Sequence, residues 1–289
     1  MGKVFDALSK SGADNKPVER KSPASVKSEG ENVPSGEFPK EPRITGATIM
    51  PSRSPVVPAG WDERFLAARA NPAVTESFRR LRAKILHLQD VNPIRSLLVT
   101  SSSPGEGKSF VCANLGAIMA HGVAQHALLV DCDLRRPSLA RFFGIESGSG
   151  LVDHLRDGRD LSSLIVRTGM ERLSLIPAGT PPQNPSELLA SHAMSELMKE
   201  VISRYQDRFV IFDSPPAQAA SETAVLAQHV DKVVIVVKWG GSGREQVKKL
   251  VEQLGHEKIL GVVFNAFEMN FFEKRLQGEG YYKYYSEEY

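Results

Sequence analysis

The sequence predicts an α/β fold built on a mostly parallel sheet with helices on both faces, and three observations predict it. Short, almost wholly apolar runs recur at residues 97–100, 127–131, 173–177, 209–213, 233–238 and 259–264. Segments with helical spacing separate them, at 110–121, 187–205, 221–228 and 244–254. The first run passes straight into a loop of small residues that ends in Lys108-Ser109. Strands that are apolar on both sides of the chain are strands covered on both faces, and strands alternating with helices are joined in parallel.

The elements follow in order. Residues 1–60 hold eight of the 18 prolines with many Ser, Lys and Glu, so they bury too little surface to offset chain entropy and read as largely disordered. Within them, residues 4–8 could form one amphipathic turn. From Trp61 the pattern becomes globular. Asn71-Pro72 opens a helix whose Val74, Phe78, Leu81, Ile85 and Leu88 form one stripe. One α/β domain is expected over 61–270, followed by a flexible tail over 271–289.

Composition excludes several function classes. A formal net charge of +2 does not suggest nucleic acid as a partner. Cys112 and Cys132 lack metal-ligand spacing and the histidines are scattered, so neither a disulfide framework nor a metal cluster is expected. No apolar run approaches the ~18 residues of a membrane span, and the N-terminus lacks a secretory h-region. A cytoplasmic chain is expected.

The loop Ser101-Ser102-Ser103-Pro104-Gly105-Glu106-Gly107-Lys108-Ser109 lies between a strand and a helix, the order a phosphate site requires. Small residues let backbone N–H groups turn inward around phosphate oxygens, and the helix N-terminus adds the positive end of its dipole. Lys108 is placed to reach the β- and γ-phosphates and the Ser109 hydroxyl to bind Mg²⁺. The strict Walker A pattern has Gly at its first position, where this chain has Ser102. Two further runs end in acids: 127–131 in Asp131-Cys132-Asp133-Leu134-Arg135, and 209–213 in Asp213. Ligands of open α/β sheets bind at the carboxyl ends of the strands, so all three aspartates are expected on the edge that carries the loop.

These residues resemble the bacterial tyrosine kinases of capsule and exopolysaccharide loci, from about Glu76 to the C-terminus. Ser103-Pro104-Gly105-Glu106-Gly107-Lys108-Ser109 has their form of Walker A, and residues 131–137 are similar to their Walker A′ motif. The stretches 181–189, 213–216 and 261–265 are also similar. The resemblance implies a P-loop NTPase-like fold of the ParA/MinD-like branch, although Ser103 stands where the partition and division ATPases carry a signature lysine. It implies a non-specific protein-tyrosine kinase using ATP and Mg²⁺. In it Lys108, Asp131, Asp133 and Asp213 are catalytic. Pro104 to Phe110, Arg135 and Asn265 hold nucleotide, Asn265 at adenine. Ser109, Asp133 and Asp213 hold the metal, and Asp131 orients or deprotonates the tyrosine hydroxyl. Glu106 contacts either another subunit or the nucleotide edge.

Five of the six tyrosines, Tyr281, Tyr282, Tyr284, Tyr285 and Tyr289, lie in the last nine residues. Beside kinase motifs such a tail reads as a phosphoacceptor cluster modified in trans; without them it would read as an aromatic terminus packed on the protein. Glu76, Arg79 and Arg82 form an E-x-x-R-x-x-R arrangement. Taken alone it supplies only helix ion pairs, each worth ~0.2–0.5 kcal/mol. By resemblance it joins subunits into a ring-shaped homo-oligomer. The resemblance further implies the stand-alone form of the kinase, an activator in the cytoplasmic tail of a membrane polysaccharide co-polymerase, a tyrosine phosphatase, peripheral placement at the inner membrane face, and control of polysaccharide polymerisation and export. The alternatives are a ParA/MinD-like positioning ATPase and a non-catalytic nucleotide-binding regulator.

Overall fold

The computed structural model describes residues 60–89, 94–121, 126–146, 148–204, 207–218 and 221–266. The expected N-terminal segment, apart from Gly60, and the tail with its five tyrosines lie outside them. Among the described residues seven strands form one sheet: β1 (Ser96–Ser101), β2 (His126–Asp131), β3 (Val166–Arg167), β4 (Leu173–Ile176), β5 (Arg208–Asp213), β6 (Lys232–Lys238) and β7 (Ile259–Asn265). Their order is β3-β4-β2-β5-β1-β6-β7. All pairings are parallel except β3 with β4. The six expected strands are these six parallel ones. The sequence reading missed β3, a two-residue antiparallel edge strand too short to show alternation.

Period-two geometry sends successive side chains to opposite faces, and both faces are dry. Leu97, Val99, Leu129, Ile211, Val234 and Val236 face one core; Leu98, Leu128, Val130, Val210, Phe212 and Ile235 face the other. The first core is closed by α1 (Glu63–Ala70), α2 (Pro72–Gln89), α3 (Lys108–Ala120) and α4 (Leu139–Phe142). The second is closed by α5 (Leu151–Asp157), α6 (Pro185–Leu189), α7 (His192–Arg204), α8 (Glu222–His229) and α9 (Arg244–Leu254). The single helix expected over 187–205 is in fact α6 and α7. The break follows from Ser191, whose hydroxyl donates to the Leu188 carbonyl and accepts from the Met194 amide, ending one helix and starting the next.

The helix α3 is apolar nearly all round and almost wholly buried. It lies close against β2 because Gly116 faces Leu129: a Cβ at position 116 would sit 2.6 Å from a Leu129 methyl carbon. This packing fixes the N-terminus of α3 against the carboxyl edge of the sheet. The chain runs from β1 outward to β2 and β4, returns to β5, then crosses to β6 and β7 on the other side of β1. That reversal opens a crevice beside β1 at the carboxyl edge. At the opposite edge Asp231 holds the start of β1, accepting from the Arg95 and Ser96 amides at 2.8 and 2.9 Å.

The helix α1 was not expected from the sequence. Its N-cap Asp62 accepts from the Arg64 amide at 2.9 Å. Its buried Phe65 meets Trp61 and Phe143 edge-on, with ring centroids 5.5 and 5.1 Å apart. Edge-to-face contacts at these separations add to the burial of the rings. Phe65→Ala is expected to destabilise the domain by about 3–5 kcal/mol. Urea unfolding checks this, and a loss under 1 kcal/mol would show that α1 is not part of the core.

Candidate active site

The aspartates predicted to share an edge do so in register. Asp131 ends β2 and Asp213 ends β5, and the two are direct partners across the parallel pair. Asp213 is also opposite Val99 of β1, two residues before that strand gives way to the phosphate loop. The loop closes on Gly105 and Gly107, with φ of +80° and +89°. A side chain at Gly107 would collide with the Asn265 amide as well as being strained, so both backbone conformation and space require glycine there. Pro104 and Gly105 form the exposed crest. The first-turn N–H groups of α3, through Phe110, have no intrahelical acceptor and mark the anion end of the helix.

Lys108 lies at the centre of this geometry. Its Nζ is 2.7 Å from Asp133 Oδ2 and 3.3 Å from the Ser109 hydroxyl. Burial works against its charge, but the fields of Asp213, Asp133 and Asp131 outweigh burial and raise its pKa. The carboxylates respond in the opposite sense. Burial pushes Asp131 up to about 8, with Asp213 beside it adding to the shift and the Leu139 and Ser138 amides opposing it. Burial likewise raises Asp213 to about 6 against the pull of Lys108 and the nearby Ser109 hydroxyl.

Asp131 is fully buried and held by the backbone. Its Oδ2 accepts from the Ser138 and Leu139 amides at 3.1 and 3.0 Å, at the entry to α4, and its Oδ1 accepts from the Asp133 amide at 3.2 Å. Asp213 differs: both of its oxygens are buried without a partner at hydrogen-bonding geometry among the described residues. An anionic carboxylate left so is costly unless a cation completes it. Among the described residues no group of three or more acidic, histidine or cysteine side chains is arranged to hold a metal on protein atoms alone. The all-oxygen set of Ser109, Asp133 and Asp213 fits a hard cation that keeps waters and takes phosphate oxygens, the habit of magnesium.

Other predicted residues have different surroundings. The Phe110 ring packs between Phe78 and Phe142, at 6.5 and 6.4 Å, so its side chain belongs to the helix layer and only its amide faces the loop. Arg135 reaches Ser186 at 2.5 Å and the buried Glu222 at 3.3 Å, bridging the starts of α6 and α8 on the rim. Glu106 is 3% exposed and turned into its own chain. Asn265 donates from Nδ2 to the Glu106 carbonyl at 2.9 Å. On α2, Glu76 pairs within the helix with Arg79 at 3.7 Å and Arg80 at 3.4 Å, while Arg82 Nε is buried without a partner among the described residues.

Sequence reasoning missed Gln218, Glu222 and Ser242. The Gln218 and Ala217 amides bind the carbonyls of Ser102 and Ser101, and the Ser242 hydroxyl donates to Ser103 Oγ at 3.0 Å. These contacts span more than 100 positions and had no local signal. Among the described residues no helix is long and apolar enough to cross a membrane.

Residues 97–279 match the CobQ/CobB/MinD/ParA nucleotide binding domain family. The protein EpsB of Ralstonia nicotianae is 36% identical over 211 residues; the match covers 72% of this chain and only 28% of that relative. Tyrosine-protein kinase YwqD of Bacillus subtilis is 32% identical, with 73% of this chain and 86% of that one covered. The solved kinase domain of Escherichia coli tyrosine kinase ETK superposes with a TM-score of 0.64 at 28% identity, covering 72% of this chain and 83% of that one.

The carboxylate shifts yield a pH prediction. A carboxyl with a raised folded pKa binds more protons folded than unfolded, so its contribution to stability falls as pH rises from about 4 through the folded value. In chelator-containing buffer, Asp213→Asn is therefore expected to gain stability over the unsubstituted protein as pH goes from 5 to 8. Thermal melts across that range check this; a difference independent of pH would contradict it.

Proposed function

This chain belongs to the CobQ/CobB/MinD/ParA nucleotide-binding family and, within it, to the bacterial tyrosine kinases, and from that premise we propose that it is an ATP-dependent protein-tyrosine autokinase. The observation that carries the reading is the in-register pair Asp131 and Asp213 at the carboxyl edge of the sheet, with Lys108 and Asp133 ion-paired beside it at the head of α3. A positioning ATPase needs nucleotide and metal; a kinase also needs a carboxyl whose basicity suits a phenol.

Lys108 and the loop amides hold the phosphates, with Ser109, Asp133 and Asp213 on the magnesium side. Magnesium supplies charge neutralisation at the phosphates when bound. The tyrosine oxygen forms the new bond to the γ-phosphorus, the bond to the ADP oxygen breaks, and the phenolic proton goes to a carboxylate. Asp131 has the role of that acceptor. Burial and the neighbouring Asp213 make its ionised form a stronger base than an ordinary carboxylate, and a magnesium ion bound beside it would favour that ionised form. Its Oδ1 accepts a single amide and keeps acceptor capacity. Positioning and charge neutralisation are the main demands of phosphoryl transfer, and this residue set meets both.

The acceptors in this reading are Tyr281, Tyr282, Tyr284, Tyr285 and Tyr289, modified in trans within a ring joined through Glu76, Arg79 and Arg82. Each phosphate adds roughly −1.5 to −2 charge, so a modified tail is repelled by the acidic site and by its neighbours, which opens the ring. The activator is the cytoplasmic tail of a membrane co-polymerase at the inner face of the membrane, a tyrosine phosphatase resets the tail, and the cycle governs polysaccharide polymerisation and export.

The test is to incubate the full chain with the activator tail and labelled ATP and map the label by mass spectrometry. Phosphotyrosine is expected in the C-terminal cluster, and Lys108→Met is expected to lower it by at least about 10²-fold. Hydrolysis without phosphotyrosine would favour the positioning ATPase. In light scattering, an Arg79→Ala, Arg82→Ala double variant is expected to run as a smaller species than the unsubstituted protein; unchanged size would remove these residues from the interface.

A further inference from the structure

Away from the phosphate loop, a cavity of about 180 Å³ opens where the end of α1, the first half of α2 and the second half of α3 meet. Arg69, Arg79 and His121 line it, and no carboxylate does. Arg79 has Glu76 at 3.7 Å. Arg69 has no carboxylate within ion-pair distance among the described residues; its guanidinium lies over the Phe65 ring, 5.8 Å from the centroid. Burial lowers the Arg69 pKa and no neighbouring acid offsets it.

The rest of the lining is built from both kinds of group. The Thr75 hydroxyl donates to the Arg69 carbonyl at 3.2 Å, which ties the end of α1 to α2 and keeps the two arginines on one cavity. Asn114 is buried and gives one Nδ2 hydrogen to the Phe110 carbonyl at 2.9 Å, with a second hydrogen to donate. Phe78 supplies an aromatic wall and the remaining contacts are aliphatic. Asn114 is six residues beyond Lys108, about 9 Å along the helix, so this cavity is a different place from the phosphate loop.

Guanidinium groups short of counter-charge, beside an amide donor, call for an oxyanion. Two guanidiniums and an imidazole suit the double charge of a phosphate monoester better than the single charge of a carboxylate. The aromatic and aliphatic lining gives the body that carries the phosphate a surface to lie on. A phosphorylated tyrosine combines both features, and arginine clusters are a general means of reading such groups.

We propose that this cavity is a phosphotyrosine site, and that its occupant is a modified tyrosine of the C-terminal cluster, Tyr281 to Tyr289. The proposal rests on the kinase reading above for the source of the phosphate. The cavity is where that product is held, apart from the site that makes it. Arg79 is shared with the interface arrangement of α2, whereas Arg69 serves the cavity alone, so Arg69 carries the test.

The experiment uses five synthetic peptides of residues 278–289, each phosphorylated at one of the five tyrosines. Fluorescence anisotropy follows their binding to the full-length protein in excess MgADP, which fills the phosphate loop. At least one phosphopeptide is expected to bind, and the unphosphorylated peptide at least about tenfold more weakly. Arg69→Ala is expected to weaken the phosphopeptide by about tenfold or more, the worth of one charge-assisted contact. Arg69→Met keeps the stem over Phe65 without the charge; it is expected to match the alanine variant and replaces it should that fail to fold. Phenyl phosphate is expected to displace the peptide, and inorganic phosphate to do so less well. Unchanged binding in the Arg69 variants would put the peptide elsewhere, the catalytic edge included, and overturn the inference. Equal displacement by inorganic phosphate would also overturn it, by reducing the cavity to a general anion site. Because the peptides are synthetic, failure of all five to bind would overturn this inference and leave the kinase reading standing. Binding without any phosphotyrosine in the labelled-ATP assay would overturn the kinase reading alone.

Discussion

One ammonium group opposes three carboxylates in a place where water is scarce. Lys108 Nζ lies 2.7 Å from Asp133, and Asp131 and Asp213 are fully buried within its field. The local charge does not balance with all three acids ionised, and the raised pKa values of Asp131 and Asp213 are the response. Such an arrangement is unfavourable for a folded chain left to itself, and a fold that keeps it must be held together elsewhere. Two dry cores, one on each face of the sheet, do that. Sites of this kind are where stability is commonly sacrificed to chemistry.

The cores also explain why the acids meet. Because β2 and β5 are parallel neighbours in register, their last residues are adjacent by construction. Because α3 packs tightly against β2 through Gly116, its N-terminus cannot drift from that edge. The site is thus a consequence of strand register and one close helix approach. Backbone amides do the fine positioning: those of Ser138 and Leu139 hold Asp131, and those of Ala217 and Gln218 hold the start of the phosphate loop. Amide donors belong to the fold itself, so they orient these groups without depending on flexible side chains.

Much of this was legible in the sequence, for identifiable reasons. Apolar runs such as 233–238 mark doubly covered strands, and the carboxyl-edge rule then places Asp131 and Asp213 without any structure. What was not legible depends on contacts distant along the chain. The break between α6 and α7 turns on a single serine hydroxyl. The helix α1 has mixed polarity and is stabilised by rings at Phe142 and Phe143, which no local pattern reveals. Phe110 follows the loop directly, so sequence position suggested a nucleotide contact, but its ring belongs to the aromatic layer under α2. The Glu106 carboxylate was expected at another subunit or the nucleotide edge; its partner Ser242 is 136 positions away.

The substitution of Ser102 and Ser103 for the residues of better-known phosphate loops follows the same logic. A glycine or lysine at these positions would shape the loop or its charge from within. Here the shaping comes from outside: Ser103 Oγ donates to Gln218 at 3.2 Å and receives from Ser242, while its amide meets Glu106. The loop is braced on one side by the segment after Asp213 and on the other by the segment after β6. A brace from both sides ties the phosphate loop to the elements that follow the two strands flanking β1. Movement at either element is therefore felt at Lys108, and the loop's conformation is a property of the whole carboxyl edge of the sheet.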